Sequence, residues 1–369
     1  MKSSLELYPA FGRDSVVVIL SSSDEFSIYL GVCIKSIINM SSTNNKYDIL
    51  VMERSISDNN KRRINKLAYD RENISIRFVN VKQEMDKYNF FLNSSRLSQE
   101  TYYGLLIPYM LNNYNKAIIM DCDMIAVRDV AELFFESLDG MIIGGVNDVV
   151  LQGWLNDETK DAKNYYTEYL KIKNPYKCFN GGLIVLDFQK YRDYVTKERV
   201  AEYINEYKLR VVDQDVFNIL LEGKSKLIDV GWNHMIMMEG AIKDAVNNAP
   251  DHARKAYYAA QKNPYIIHYA GDFKPWSHPT VEFADEFWKI ARETPFYEEL
   301  LFKLVNKVAI KTVCTHQIIF HGGMIKKILK PHRVERIKNT LKRVLGPGTY
   351  KYKIARKICY MLSGRVYSE

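Results

Sequence analysis

The residues with the clearest chemical potential are the triplet Asp121-Cys122-Asp123, which directly follows the apolar run 118–120. The apolar run predicts a buried strand, so both carboxylates come where that strand ends. Two carboxylates at such a place form a hard, doubly anionic site that can hold a divalent cation and, through it, a diphosphate. A solvated turn or a helix cap is the alternative, because Asp is common in both. The preceding apolar strand favours the metal site.

A second polar group follows a short apolar strand near residue 267 and consists of His268, Gly271 and Lys274 at three-residue spacing. Glycine permits a close backbone approach, and lysine supplies a point charge suited to phosphate. A single histidine at a strand end is usually structural. Together, the three residues favour an anion-binding site.

Two further motifs are compatible with both structural and functional roles. Asn180-Gly181-Gly182 opens an apolar strand, and Asp213-Gln214-Asp215 stands at a helix start. Asp213 is a suitable helix cap, and Asp215 interacts favourably with a helix dipole. Taken alone, each motif is better explained by structure.

The elements that carry these motifs alternate between strands and helices, which predicts βαβ units and a parallel sheet. Apolar runs predict strands at 16–20, 48–52, 74–79, 116–120, 141–146, 182–187 and 265–269, and helical patterns cover 99–112, 188–207 and 213–221. Ligands of open α/β sheets bind beyond the carboxyl ends of the strands. We therefore expect the polar motifs to meet there.

Composition sets the class of protein. The chain has 369 residues, 47% hydrophobic and 26% charged, which suits one large soluble α/β domain with an appendage. Its five cysteines are scattered and contain no CxxC pair, which argues against a disulfide framework or a zinc site. The sequence contains no signal-peptide pattern and no apolar run near the ~20 residues of a membrane span, so we expect a cytoplasmic protein.

The charge is concentrated at the carboxyl end. From residue 302 onward the sequence contains 16 Lys and Arg residues and two acids, Glu335 and Glu369. Apolar side chains recur there at helical spacing: Val334, Ile337, Leu341, Val344 and Leu345. We expect a catalytic domain at 1–285 and a basic, amphipathic helical region at 286–369 that binds the anionic inner face of a membrane. A helix packed on the catalytic domain is the alternative.

Between residues 16 and 276, the order and spacing of the motifs resemble the family-8 retaining glycosyltransferases, which include glycogenin-like proteins and bacterial galactosyl- and glucosyltransferases of lipopolysaccharide and capsule synthesis. The resemblance comprises Tyr29-Leu-Gly-Val32, Thr101-Tyr-Tyr103, Leu105-Leu-Ile-Pro108, Met120-Asp-Cys-Asp123, Phe179-Asn-Gly181, Asp213-Gln-Asp215, His268-Tyr-Ala-Gly271 and Lys274-Pro-Trp276. It implies an α/β fold with a single nucleotide-sugar-binding domain of the GT-A type and a mixed, mainly parallel sheet.

The resemblance also implies the site. Asp121, Asp123 and His268 would hold Mn²⁺, with Mg²⁺ possible, and a mixed oxygen and imidazole set is reasonable for Mn²⁺. The remaining donor-binding residues would be Ser23, Asp24, Phe26, Cys122, Asn180, Gly181, Gly271 and Lys274. The catalytic residues beside the transferred sugar would be Asp148, Asp213 and Gln214.

The implied function is transfer of glucose or galactose from a UDP-sugar to a glycan or glycolipid acceptor. Two departures from the family pattern bear on it: Ser23 stands where many members have an acid, and Gly104 stands where most have a basic residue. A weakly active or inactive UDP-sugar-binding protein is therefore the alternative. A nucleotidyltransferase would carry a glycine- and basic-rich triphosphate loop, which is not found, and no nucleic-acid-binding module is visible.

Overall fold

The structure is a computed structural model that describes residues 6–92, 98–236 and 241–314, without the side chains of residues 241 and 307–314. The predicted amphipathic helix at 334–345 lies outside this range. The chain divides into two compact units, one formed by Met1–Pro275 with Thr280–Glu299 and the other by Trp276–Pro279 with Leu300–Glu369. The expected boundary at residue 285 stays a prediction.

A seven-stranded sheet organises the first unit, in the order β3-β2-β1-β4-β7-β6-β8. Its strands are β1 (Ser15–Ser21), β2 (Lys46–Glu53), β3 (Ile74–Asn80), β4 (Lys116–Met120), β6 (Ile143–Asn147), β7 (Phe179–Asp187) and β8 (Ser225–Ile228). Strands β3, β2, β1 and β4 are parallel, β7 is antiparallel to both neighbours, and β6 is parallel to β8. The predicted mixed, mainly parallel sheet is confirmed.

Helices surround the sheet and explain why its strands are apolar along their whole length. Residues 15–20 of β1 are all buried, as expected for a strand covered on both faces. The α-helices are α1 (Ser27–Met40), α2 (Asp58–Asn65), α3 (Lys82–Met85), α4 (Tyr103–Met110), α5 (Val130–Phe135), α6 (Val149–Leu155), α7 (Ala162–Asn164), α8 (Phe188–Tyr194), α9 (Lys197–Glu206), α10 (Val212–Leu220), α11 (Ala241–Asn248), α12 (Asp251–Lys262), α13 (Ala284–Ala291) and α14 (Tyr297–Cys314).

The continuous helix expected at 188–207 is instead two helices, α8 and α9. Val195 adopts an extended conformation between them, and the Thr196 side chain accepts a hydrogen bond from the backbone N–H of Arg199. This N-cap begins a new helix, because it satisfies one of the backbone donors exposed at a helix start.

A second sheet consists of three short strands in the order β5-β10-β9, and its strand β5 directly follows β4 and the acidic triplet in sequence. Its members are β5 (Met124–Ala126), β9 (His234–Met235) and β10 (Ile266–His268). Strand β10 is antiparallel to β5 and parallel to β9, and this register pairs His268 with Met124. The small sheet therefore brings the histidine beside the acidic triplet.

Within the described part of the chain, no helix is both long enough and apolar enough to span a bilayer.

Candidate functional site

A cavity of about 570 Å³ opens at the carboxyl ends of β1 and β4. Segments distant in sequence line it, including the loop after β1, the turn after β4, the start of β7, the first turn of α10 and the loop after β10. Most of the site residues predicted from the sequence lie in the wall of this one cavity: Ser23, Phe26, Asp121, Cys122, Asp123, Asn180, Gly181, Asp213, Gln214, His268, Gly271 and Lys274.

Asp121, Asp123 and His268 form a compact group, since one ligand atom from each lies within 4.8 Å of the others. His268 Nε2 is 3.4 Å from Asp123 Oδ1 and 3.9 Å from Asp121 Oδ2. The turn after β4 supplies the carboxylates, and the pairing of β5 with β10 supplies the imidazole. Two carboxylate oxygens and one imidazole nitrogen are a suitable ligand set for a divalent transition metal.

Two observations fit a cation between these side chains. Within the described residues, Asp123 Oδ1 is buried without a hydrogen-bond partner, which is costly for a carboxylate oxygen unless another group satisfies it. Gly182 leaves the space beside the group open, because a Cβ there would lie 2.6 Å from His268 Cε1 and 2.8 Å from Asp121 Oδ2. The residues present therefore fit a metal ion.

The two aspartates differ in their electrostatic surroundings. Desolvation in the cleft and the neighbouring charge of Asp123 raise the pKa of Asp121 to about 6. Burial opposes ionisation of Asp123 as well, but its ion pair with Lys274 holds its pKa below the ordinary value. Burial and the charge of Asp121 raise the pKa of Asp213. The cavity thus concentrates negative charge, with Lys274 beside it.

The amides of Asn180 and Gln214 form one hydrogen-bonded cluster with Asp148. Gln214 Nε2 donates to Asp148 Oδ2 at 3.0 Å, and Asn180 Nδ2 donates to Gln214 Oε1 at 3.2 Å. Asp148 is buried, accepts a hydrogen bond from Leu151 N at the start of α6, and lies outside the cavity lining. Gln214, not Asp148, therefore presents its side chain to the cavity.

Asp215 has a structural environment. Its buried carboxylate accepts hydrogen bonds from the hydroxyls of Tyr165 and Tyr166 and from the backbone N–H groups of Arg210 and Val211. These bonds hold the turn in which Val212 has φ of 22°, an unfavourable value for a β-branched residue. The turn places Asp213 and Gln214 at the cavity.

The residues of the loop after β1 have two different environments. Ser23 and Phe26 line the cavity. Asp24 does not line it: its Oδ1 accepts hydrogen bonds from Ser57 N and Asn60 Nδ2, both at 2.8 Å. In the turn after β4, the buried Cys122 thiol donates to Ser21 O at 3.2 Å, which ties the acidic turn to this loop.

Asn233 is part of the site, but it was not identified from the sequence. It ends the 3₁₀ turn Val230–Asn233 directly before β9, and its Oδ1 is 2.8 Å from His268 Nδ1. The pairing of β9 with β10 brings these residues together. The sequence carried a weak signal, an amide next to a two-residue strand that periodicity does not detect.

Comparison with known protein families gives a match to the model described as glycosyl transferase family 8, over residues 17–280. Two curated relatives cover most of their own lengths. General stress protein A of Bacillus subtilis is 24% identical over 75% of this chain and 93% of the relative. The lipopolysaccharide 1,2-glucosyltransferase of Escherichia coli is 23% identical over 79% of this chain and 82% of the relative.

Solved structures show the same fold. The bifunctional glycosyltransferase WbbM in its apo form matches with a TM-score of 0.71 and 28% identity, over 80% of this chain and 53% of that longer chain. The galactosyltransferase LgtC, in complex with donor and acceptor sugar analogues, matches with a TM-score of 0.57 and 20% identity, over 76% of this chain and 96% of LgtC.

Proposed function

Because this chain belongs to glycosyl transferase family 8, we propose that it transfers glucose or galactose from a UDP-sugar to a glycan acceptor and retains the anomeric configuration. The observation that carries the proposal is the convergence of Asp121, Asp123 and His268 in a cavity at the carboxyl ends of β1 and β4. Such a site binds a diphosphate through a divalent cation.

In the proposed donor site, different walls of the cavity would bind different parts of the UDP-sugar. Asp121, Asp123 and His268 would hold Mn²⁺, or Mg²⁺ in its place, and the bound ion would stabilise the charge that grows on the leaving diphosphate. Lys274 and the Gly271 backbone would bind the same diphosphate. The loop with Ser23, Asp24, Phe26 would hold the nucleoside, and Cys122 would contact it from the turn after β4. Asn180, Gly181, Asp213 and Gln214 would surround the sugar, with Asp148 orienting Gln214.

The proposed mechanism has no covalent intermediate with the protein. Gln214 presents an amide at the sugar position, and an amide is a poor nucleophile. UDP would leave through an oxocarbenium-like state, and the acceptor hydroxyl would attack from the face that UDP leaves. A β-phosphate oxygen would take the hydroxyl proton. The protein's contribution would be positioning and electrostatic stabilisation.

The acceptor would be a lipopolysaccharide, capsule or other cell-surface glycan, in keeping with relatives such as the lipopolysaccharide 1,2-glucosyltransferase of E. coli. We further propose that the protein works in the cytoplasm at the inner face of the membrane. The basic carboxyl-terminal sequence supports this proposal, because basic residues are attracted to anionic lipids.

The direct test measures UDP release by the purified chain with Mn²⁺ and, separately, UDP-glucose, UDP-galactose and their N-acetyl forms. We expect release from a hexose donor, loss of release with EDTA, and better restoration by Mn²⁺ than by Ca²⁺. Undiminished turnover in EDTA would contradict the metal site. Anomeric assignment of a transferred sugar by NMR would test retention.

Gly104 is the observation that favours a second candidate, a weakly active or inactive UDP-sugar-binding protein. It lines the cavity on α4 and supplies no cation. This candidate predicts calorimetric binding of UDP-sugar with little or no UDP release for any of the four donors. Binding together with UDP release over many turnovers would exclude it.

A further inference from the structure

The orientation of the buried side-chain amides can be read from two backbone donors. Gly181 N donates to Gln214 Oε1 at 2.9 Å, and Gly182 N donates to Asn180 Oδ1 at 3.0 Å. A backbone N–H can only donate, so each contact identifies the oxygen end of the amide that it meets. The –NH₂ groups of Gln214 and Asn180 consequently face Asp148 and Gln214 Oε1.

This orientation fixes the next amide in the chain. Asn180 Oδ1 is an acceptor, and the Asn233 atom that meets it at 2.9 Å must be the donor Nδ2. Asn233 Oδ1 then faces His268 Nδ1 at 2.8 Å, and an oxygen at that distance requires a proton on Nδ1. In neutral His268, Nε2 therefore carries a lone pair toward Asp121 and Asp123.

We propose that Asn233 is a positioning residue that sets the tautomer of His268, and that the relay Asp148–Gln214–Asn180–Asn233–His268 presents Nε2 as a metal ligand. The second half of this proposal rests on the proposed function. Asp148, Gln214, Asn233 and His268 are buried to within a few percent, so water does not compete effectively for these hydrogen bonds. Outer partners of this kind orient a ligating histidine and fix its tautomer.

The fold keeps Asn233 in register with the histidine. Strand β9 pairs with β10, with His234 opposite Ile267 and Met235 opposite His268, and Ile236 N donates to His268 O at 3.0 Å. On its other side, the Asp229 side chain accepts a hydrogen bond from Gly231 N and caps the turn that ends at Asn233. The amide is thus held from both directions along the chain.

The first measurement is the tautomer of His268 in the metal-free protein. The chain has seven histidines, so two-bond ¹⁵N–¹H spectra of histidine-labelled protein at pH 8 suffice, with the signal assigned by its absence in His268→Gln. We expect the Nδ1–H tautomer in the wild type and in Asn233→Asp, whose carboxylate also accepts from Nδ1–H. Asn233→Leu removes the acceptor, and we expect the Nε2–H tautomer to appear.

The second measurement is Mn²⁺ affinity, by titration of the free-ion electron paramagnetic resonance signal. Asn233→Leu should weaken binding by about 10- to 100-fold, as for other outer partners of metal ligands. Asn233→Asp keeps the acceptor for Nδ1–H but loses the donor to Asn180 Oδ1, so it should weaken binding less than Asn233→Leu. The matched control is Asn73→Leu, which removes an amide that bonds backbone carbonyls of Ser42 and Asn45 next to β3. It should leave both readouts unchanged.

An Nε2–H tautomer in the wild type would overturn the proposal, as would Asn233→Leu with unchanged tautomer and Mn²⁺ affinity. If Asn233→Leu does not fold, the spectra of the wild type and of Asn233→Asp still test the proposal. Loss of the Nδ1–H tautomer in Asn233→Asp would contradict the role of Asn233 as the acceptor that sets the tautomer of His268. An Nδ1–H wild type that takes up no Mn²⁺ would support the relay and refute the metal site of the proposed function.

Discussion

At the scale of single residues, the two oxygens of Asp123 have unlike surroundings. Oδ2 pairs with Lys274, whereas Oδ1 faces His268 and, among the described residues, has no hydrogen-bond partner. One carboxylate can thus meet a cationic side chain and a metal ion at once. A variant that keeps the shape of this residue but removes its charge tests both contacts together.

Asp123→Asn should lower the transfer rate by roughly 1,000-fold, because losing the metal removes several kcal/mol of charge stabilisation. The fold should survive, since the substitution leaves the volume unchanged. UDP release and the thermal unfolding midpoint check both expectations. Asp139→Asn, on an exposed turn remote from the cavity lining, is the control. Unfolding of Asp123→Asn, with normal activity in the folded remainder, would refute the assignment.

Gly182→Ala tests the space beside the metal ligands. The added Cβ would overlap His268 Cε1 and Asp121 Oδ2, so we expect at least a 10-fold loss of Mn²⁺ affinity. Gly104→Ala is the matched comparison, because its Cβ would meet side chains only at 3.6 Å or beyond. Calorimetric titration of both variants with Mn²⁺ gives the result. Equal affinities would show that the ligands do not need this glycine.

Gln214→Ala should lower kcat by about 100-fold, the typical effect of removing one positioned polar group, while UDP affinity stays nearly unchanged. Gln214 and Asp148 extend the relay, but Gly182 N fixes the orientation of Asn180 without them, so the His268 tautomer should remain in this variant. Rate assays, UDP calorimetry and the histidine spectrum separate these effects. A large loss of UDP affinity would show that Gln214 contacts the nucleotide and not the sugar.

At the scale of elements, β9 carries a buried histidine with a different environment from His268. His234 packs against the rings of Tyr257 and Phe283, and neither of its ring nitrogens has a partner in the described part of the chain. Burial lowers the pKa of His234 from 6.5 to about 4. The neutral ring is therefore the form that the folded strand accepts.

This environment predicts an acid-sensitive fold. Between pH 6.5 and about 4 the unfolded chain binds a proton that the folded chain does not, so acidification lowers the free energy of unfolding, by up to about 3 kcal/mol. The free energy of unfolding, measured by urea denaturation, should fall less between pH 7 and pH 4.5 in His234→Phe than in the wild type, because the variant lacks the titrating imidazole. His252→Phe, at an exposed position on α12, is the control. An unaltered pH slope in His234→Phe would exclude the explanation.

Element length explains which parts of the fold were predictable. The long apolar runs of β1 to β4 and β7 are recognisable from the sequence, and the acidic triplet was found because it follows β4. His268 ends the three-residue strand β10 and was found because Gly271 and Lys274 follow it at regular spacing. Strands β5 and β9 have three and two residues, too few for a period to show. The contact between Asn233 and His268 depends on the register of those short strands, so the sequence could not reveal it.

At the scale of the whole molecule, the basic carboxyl-terminal sequence predicts binding to anionic membranes. The chain truncated after Cys314 keeps α14 and should retain UDP release, but it should no longer sediment with phosphatidylserine vesicles. Each basic residue near an anionic surface contributes about 1 kcal/mol. Full-length protein should bind at low salt, and 1 M salt should release it. Full-length protein that ignores these vesicles at low salt would refute membrane docking.

The small sheet also makes the order of synthesis matter. Lys274 and Asp123, paired in the finished site, are 151 residues apart in sequence, and His268 arrives with β10, shortly before Lys274. A nascent chain that has left the ribosome as far as β5 therefore contains both aspartates but neither of their later partners. Contacts of such long range form late, after the intervening chain has been ordered. Metal binding would then require synthesis to have passed β10, and chains that stall or are truncated before β10 would remain metal-free.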